Sequence, residues 1–149
     1  MYFESRNGPS GGSRILTPKP EHAMTKNELK AKRSTTIVLQ YLDFIDRHIE
    51  DVVHGDAPEF LELNQIAREL AVSHQHLTDI IQKEKGNHPC HFYDAKIIEK
   101  AKSLLRDPDV SIAEVAMKLT YDPSNFSKFF KKWTGETPGE YRKSQGQAG

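Results

Sequence analysis

The chain has 149 residues, and its 21 basic and 21 acidic side chains give a formal net charge of zero. Hydrophobic residues make up 36% and charged residues 28%, a balance typical of a globular chain and not of one disordered along its whole length. The sequence lacks a membrane-spanning apolar run and a secretion signal, and its single cysteine, Cys90, excludes an internal disulfide. We therefore expect a cytoplasmic protein that contacts no membrane.

Residues 1–33 differ in composition from the rest of the chain. The first 23 residues are rich in Gly, Ser and Pro and show no hydrophobic period, which predicts a leader segment, with Met24 as an alternative natural start. The charged residues that follow, up to Arg33, are expected to form a flexible arm. From Ser34 an apolar stripe with a four-residue period predicts a helix of about five turns, which the sequence HGDAP then ends. The stripe consists of Ile37, Tyr41, Ile45, Ile49 and Val53.

An internal repeat with a period of 49 residues follows, and it needs no gap. In each copy, apolar residues at helical spacing are followed by a capping residue, a second apolar helix and a glycine. The matched pairs are Leu63 and Ile112, Ile66 and Val115, Ala67 and Ala116, Leu70 and Leu119, Ser73 and Asp122, Leu77 and Phe126, Ile81 and Phe130, Gly86 and Gly135, Pro89 and Pro138, and Phe92 and Tyr141. Repetition at a fixed spacing predicts two copies of one helix, tight turn and helix unit.

Capping signals give the boundaries of these units. Ser73 and Asp122 are suited to begin the second helix of each copy, and glycine is suited to end it. Ser111 with Glu114, and Thr137 with Glu140, have the spacing of capping boxes. We therefore predict an all-α fold with two helix-turn-helix subdomains and a long linker helix. The predicted boundaries are residues 34–90 for the first subdomain, 89–107 for the linker helix, 108–144 for the second subdomain and 145–149 for a flexible tail.

Two helices joined by a tight turn can place the second helix in the major groove of DNA. Because successive major-groove faces lie about 34 Å apart, two such readers on one linker helix could bind a duplex as a monomer. The stretch from Ser124 to Lys143 carries five basic and two acidic residues, which favours contact with phosphates. Residues 34–57, in contrast, carry one basic and five acidic residues.

The sequence resembles the AraC/XylS family of bacterial transcription regulators over about residues 34–144. The resemblance is strongest in SIAEVAMKLTYDPSNFSKFFKKWTGETPGEYRK, and it extends to LNQIARELAVSHQHLTDII and YDAKIIEKAKSLL. It implies about seven helices and sequence-specific binding to promoter DNA, either by a short stand-alone regulator or by a fragment of a longer one. Three positions depart from the family pattern. In the second turn the family tends to have Gly before an aromatic residue and one further residue, whereas this chain has Thr120 and Tyr121. Ile97 stands where Arg is common in the family, and Asp79 stands where a basic residue is common.

Helical spacing divides the candidate DNA-contacting residues from the core. Phe126, Phe129, Phe130 and Trp133 share one face and are expected in the core. The candidates for contact with base edges are Gln75, Thr78, Asp79, Ser124, Asn125 and Lys128. The candidates for contact with phosphates are Ser73, His74, Lys83, Lys131, Lys132, Arg142 and Lys143. Asp79 would repel phosphates, so the first motif is expected to bind DNA more weakly than the second.

Other functions are less well supported by the sequence. Histidines and Cys90 form two short clusters in the sequence, one at residues 74–76 and one at residues 88–91. The spacing within them is poor for a zinc site. No catalytic group is evident beside Cys90. We therefore expect no metal, no cofactor and no enzymatic activity. The alternative function is a helical protein-interaction module with little or no DNA affinity, which zero net charge and Asp79 favour. An activator would also contact RNA polymerase, and the acidic segment 43–62 is the candidate surface for that contact.

Overall fold

A computed structural model of the protein describes residues 24–148, which contain seven α-helices and no strand. The bounds of the helices are α1 Lys26–His54, α2 Leu63–Glu69, α3 His74–Lys85, α4 Pro89–Leu105, α5 Ile112–Lys118, α6 Pro123–Thr134 and α7 Pro138–Ala148. The all-α prediction, with two helix-turn-helix units flanking a long helix, is confirmed. Two units are distinguished, residues up to Arg33 and residues from Ser34 onward.

In the first unit, residues 26–33, which the sequence predicted as a flexible arm, are helical. Thr25 and Glu28 form a capping box: Thr25 N donates to Glu28 Oε1 at 2.9 Å, and Glu28 N donates to Thr25 Oγ1 at 3.1 Å. Hydrogen bonds from the Thr25 backbone N–H and, next, from the Thr25 side chain lower the pKa of the Glu28 carboxyl. Satisfied amides at the N-terminus favour a helix even though every residue from Met24 to Arg33 is exposed. The predicted leader, residues 1–23, lies outside the described residues.

Two further predicted boundaries differ from the structure, at the start of the tail and at the end of the linker helix. Residues 145–148, predicted as part of a flexible tail, are helical because α7 continues to Ala148, and Gly149 lies outside the described residues. Lys143 is not followed directly by Gly, Asn or Pro, so no local stop signal ends α7 at that residue. The linker helix α4 ends at Leu105, two residues before the predicted end. Pro108 explains that difference, since a proline disfavours helical backbone in the residue before it.

The core of the second unit is formed by the predicted apolar faces. Of the α1 stripe, Tyr41 and Ile45 are fully buried, whereas Val53 is half-buried. The Tyr41 hydroxyl donates to the carbonyl oxygen of Pro89 at 2.9 Å, which satisfies its polar atom inside the core and joins α1 to the start of α4. Ile97, where the resemblance suggests Arg, is buried at 3% exposure, so an apolar side chain suits its position.

The 49-residue repeat is reproduced in the backbone. Ala71 and Thr120, 49 residues apart, both have φ of 59°, and Gly86 and Gly135 both have φ of 83°. Each tight turn closes with a matching hydrogen bond, from Val72 N to the Ala67 carbonyl at 3.0 Å and from Tyr121 N to the Ala116 carbonyl at 2.9 Å. The two helix-turn-helix motifs are therefore copies in conformation as well as in sequence.

Replacing Thr120 with glycine should increase the free energy of unfolding by about 1 kcal/mol. A β-branched residue in the left-handed region is strained by about 1–2 kcal/mol, and glycine removes the strain while adding some entropy to the unfolded chain. Urea unfolding would measure the change. The matched control is Gly135→Ala, which should lower the free energy of unfolding because it adds a side chain at φ of 83°. No atom lies within 4 Å of the new Cβ, so the effect would come from the backbone conformation and not from a steric clash. Destabilisation by Thr120→Gly would contradict the assignment of strain.

Candidate nucleic-acid interface

The helix α3 buries one side and exposes the other. Leu77, Ile80 and Ile81 are buried in the core. His74, Gln75, Asp79 and Lys83 are exposed, and Thr78 is half-buried. The Ser73 hydroxyl accepts from His76 N at 3.0 Å and so caps the helix. The exposed side begins in the first turn, which is the part of a reading helix that reaches base edges.

On the exposed side of α3, Gln75 and Asp79 form a pair one helical turn apart. Gln75 Nε2 donates to Asp79 Oδ1 at 2.8 Å. The pair orients the Gln75 amide and leaves its second N–H and its carbonyl oxygen available for a base edge. It also leaves the other Asp79 oxygen as an acceptor facing outward. The sequence predicted both side chains on this surface, but not the bond between them.

The helix α6 has the same division, with larger side chains inside. Phe126 and Phe130 are fully buried, while Phe129 and Trp133 are half-buried, so the expected aromatic core face is formed. The predicted contact residues of this helix are exposed, and they comprise Ser124, Asn125, Lys128, Lys131 and Lys132. This helix contains three lysines and no acidic residue, whereas α3 contains Lys83 and Lys85 balanced by Asp79 and Glu84. The second motif therefore presents the more positive surface.

The N-terminus of α6 is occupied by its own cap. The Asp122 carboxylate accepts from the Ser124 hydroxyl and from the backbone N–H groups of Ser124 and Asn125, at 3.1 Å and 3.4 Å for the two amides. The Ser124 hydroxyl contributes most to the lowering of the pKa of this carboxyl. Because these amides are already bonded, phosphate contact by this helix has to come from side chains.

Lys132 has a carboxylate neighbour on the linker helix. Burial raises the pKa of the Asp94 carboxyl, and the positive charges of Lys132 and His91 oppose that shift. The ring of His91 also lies 5.2 Å from that of Trp133, so α4 and α6 meet at this point. Lys132 is exposed to solvent, and its charge acts on a carboxyl of α4.

Arg142 differs from the other phosphate candidates because its guanidinium binds the protein itself. Its Nε donates to the Leu105 carbonyl at 2.9 Å, and its Nη2 donates to the Asp107 carbonyl at 3.2 Å. The Leu105 carbonyl lies in the last turn of α4, where a helix leaves acceptors unpaired, and Asp107 lies two residues beyond it. Arg142 therefore caps the linker helix from α7, while its neighbour Lys143 is exposed.

The acidic side of α1 is partly neutralised by the linker helix. Lys96 Nζ donates to Asp46 Oδ1 at 2.7 Å, and Lys100 Nζ donates to Glu50 Oε1 at 2.7 Å. Asp43 is paired with Arg47 within α1. The sequence carries a signal for the first two pairs, because the two acidic residues are four apart on α1 and the two lysines are four apart on α4. A count of charges alone does not detect this spacing.

The histidine and cysteine segments have structural contacts. His88 Nδ1 accepts from Cys90 N at 3.1 Å and caps α4. Between Met24 and Ala148, no three His, Cys, Asp or Glu side chains are grouped in a way that could hold a metal ion. Across the same described stretch, no helix has the length and apolar character needed to cross a membrane.

Comparisons with known proteins agree with this geometry. Residues 66–144 match the family model described as a helix-turn-helix domain. The chain is 35% identical over 107 residues to the uncharacterized HTH-type transcriptional regulator YtdP of Bacillus subtilis (strain 168), covering 71% of this chain and 14% of that protein. It is 28% identical over 96 residues to the Msm operon regulatory protein of Streptococcus mutans, covering 64% of this chain and 34% of that protein.

Among solved structures, the chain is similar to the C-terminal domain of AraT, a response regulator from Geobacillus stearothermophilus. The TM-score is 0.63 at 31% sequence identity, and the match covers 72% of this chain and 84% of that one. The chain thus spans well under half the length of these two curated relatives but most of a solved C-terminal domain.

Proposed function

The chain belongs to the AraC-type helix-turn-helix family of DNA-binding transcription regulators, and from this premise we propose that it binds promoter DNA with α3 and α6 in successive major grooves. The observation that carries the proposal is the repeated geometry of the two motifs. Both turns have the same backbone conformation, and both second helices expose polar side chains from their first turn onward. The linker helix α4 packs against both reading helices and so holds them in one unit.

The two reading helices are proposed to contribute unequally. In α6, Ser124, Asn125 and Lys128 reach base edges, and Lys131 and Lys132 contact phosphates. In α3, the Gln75 and Asp79 pair selects bases that present amino groups, cytosine above all, while the carboxylate weakens attraction to the backbone. Ser73, His74, Thr78 and Lys83 add contacts at the edge of the first site.

We also propose a narrower set of phosphate contacts than the sequence alone suggested. Arg142 is assigned to the linker helix, because two of its donors are bound to the Leu105 and Asp107 carbonyls. Lys143, which is exposed beside it, keeps its proposed contact with phosphate. Moreover, since Asp43, Asp46 and Glu50 are each paired with a basic side chain, a contact with RNA polymerase would use the remaining acidic residues of segment 43–62. The protein is proposed to act in the cytoplasm and to bind DNA as a monomer.

The salt dependence of binding to a random duplex tests this proposal. Four lysines are assigned to phosphates, at positions 83, 131, 132 and 143. Released counterions then predict that the logarithm of the binding constant falls with the logarithm of salt concentration, with a slope of about −4. A flat response, or no binding at low salt, would contradict DNA binding. That outcome would favour a protein-interaction module, the function that zero net charge and the exposed Asp79 support.

A further inference from the structure

The loop between α1 and α2 is held at one residue from two sides. Leu61 N donates to His48 Nε2 at 2.9 Å, and the Tyr93 hydroxyl donates to the Leu61 carbonyl at 3.0 Å. His48 is buried at 7% exposure, and burial lowers its pKa, as expected for a neutral imidazole that accepts this bond. Helices α1 and α4 therefore fix the backbone of the loop just before the first motif begins.

This loop carries Phe60, whose ring contacts α1, α4 and the tight turn of the second motif. The Phe60 ring lies 6.0 Å from the rings of His48 and Tyr93, in edge-to-face arrangements. It also lies 6.4 Å from the ring of Tyr121, which belongs to the tight turn of the second motif. Tyr121 in turn stacks on Phe129 of α6, at 5.3 Å and an angle of 19°. A continuous path of ring contacts thus leads from the loop that precedes the first motif to the second reading helix.

We propose that Phe60 is a positioning residue that fixes the separation and rotation of the two reading helices, acting through its contact with Tyr121. The inference rests on the proposed function. Each motif packs on α4, and the contact between Phe60 and Tyr121 adds a second connection that does not pass through that helix. An aromatic pair adds an attraction of about 0.5–1.5 kcal/mol that depends on ring geometry. Here it joins the loop that leads into the first motif to the turn of the second motif, and the hydrogen bonds of Leu61 to His48 and Tyr93 hold that loop in place.

A fixed pair of readers requires a fixed distance between half-sites. Since a helical turn of about 10.5 base pairs spans about 34–36 Å, one inserted base pair moves a half-site by about 3.4 Å and rotates it by about 34°. Readers locked by the Phe60 and Tyr121 contact cannot follow that displacement. Readers without the contact can follow part of it.

The test varies the spacing between half-sites for the full chain. A duplex is first selected from a random library, and one or two base pairs are then inserted or removed between its half-sites. We expect a single insertion to weaken binding by the original chain at least tenfold and by Phe60→Leu less than threefold. Leucine keeps most of the apolar volume, and circular dichroism will confirm that this variant is folded. The matched control is Phe44→Leu, which removes another ring 6.0 Å from His48 and should retain the sharp profile.

Three outcomes would overturn the positioning role. They are an unchanged spacing profile in folded Phe60→Leu, a flat profile in the original chain, and additive flattening when Tyr121→Leu is combined with Phe60→Leu. Two residues that act through one contact should instead give a double variant no flatter than the flatter single one. Failure to recover any duplex would contradict the proposed function as well, which separates that failure from the loss of spacing selectivity.

Discussion

Phe126→Ala is expected to lower the free energy of unfolding by about 3–5 kcal/mol, the cost of leaving a cavity where a buried phenylalanine was. Phe126 is fully buried and lies on the inner face of α6. Its ring contacts those of Tyr121 at 6.3 Å and Phe130 at 5.9 Å. Small domains are stable by about 5–15 kcal/mol, so this one truncation removes a large part of the total. Binding through the second motif should be lost with it.

Denaturant unfolding followed by circular dichroism measures this effect. Leu77→Ala makes the matching truncation 49 residues earlier and should cost about 2–5 kcal/mol, since Leu77 is also fully buried. Lys131→Ala is the surface control on α6 and should change stability by less than about 0.5 kcal/mol. A loss below about 1 kcal/mol for Phe126→Ala would mean that α6 is not held by its aromatic face.

The features predicted well from the sequence are those that local rules decide. The Ser111 and Glu114 box is present, with Glu114 N bonded to Ser111 Oγ at 3.1 Å and Ser111 N bonded to Glu114 Oε1 at 2.9 Å. The Thr137 and Glu140 box is likewise present. Caps and left-handed glycines depend on residues within one turn, so sequence spacing is enough to find them. By the same rule, Thr25 and Glu28 have the spacing of a capping box, a local signal for a helix that the prediction of a flexible arm does not include.

Contacts between distant residues were not predictable in this way. Arg142 reaches carbonyls 35 and 37 residues earlier, and Phe60 meets Tyr121 across 61 positions. Arg142 binds the protein itself because α7 packs against α4. Hydrophobic periodicity does not predict that packing. The composition of the candidate interface could therefore be listed from the sequence, whereas the division between DNA contacts and structural contacts required coordinates.

Lys128→Ala should relax base preference at one position of the second half-site by about 1–3 kcal/mol, a loss of about fivefold to 150-fold in discrimination. Lys128 is exposed, lies one turn beyond the helix start and follows Asn125 on the outer side of α6. A lysine there can donate to the acceptors on guanine, and alanine cannot. Competition between the selected duplex and duplexes changed at single positions measures the effect.

Lys132→Ala is the matched comparison on the same helix, because it also removes one positive charge. If Lys132 contacts a phosphate, its loss should weaken all duplexes about equally and make the salt slope shallower by about one. Identical behaviour of the two lysine variants would show that our division of roles is wrong. Relaxed base preference in Lys132→Ala alone would reverse it, since the position nearer the C-terminus of α6 would then read the base.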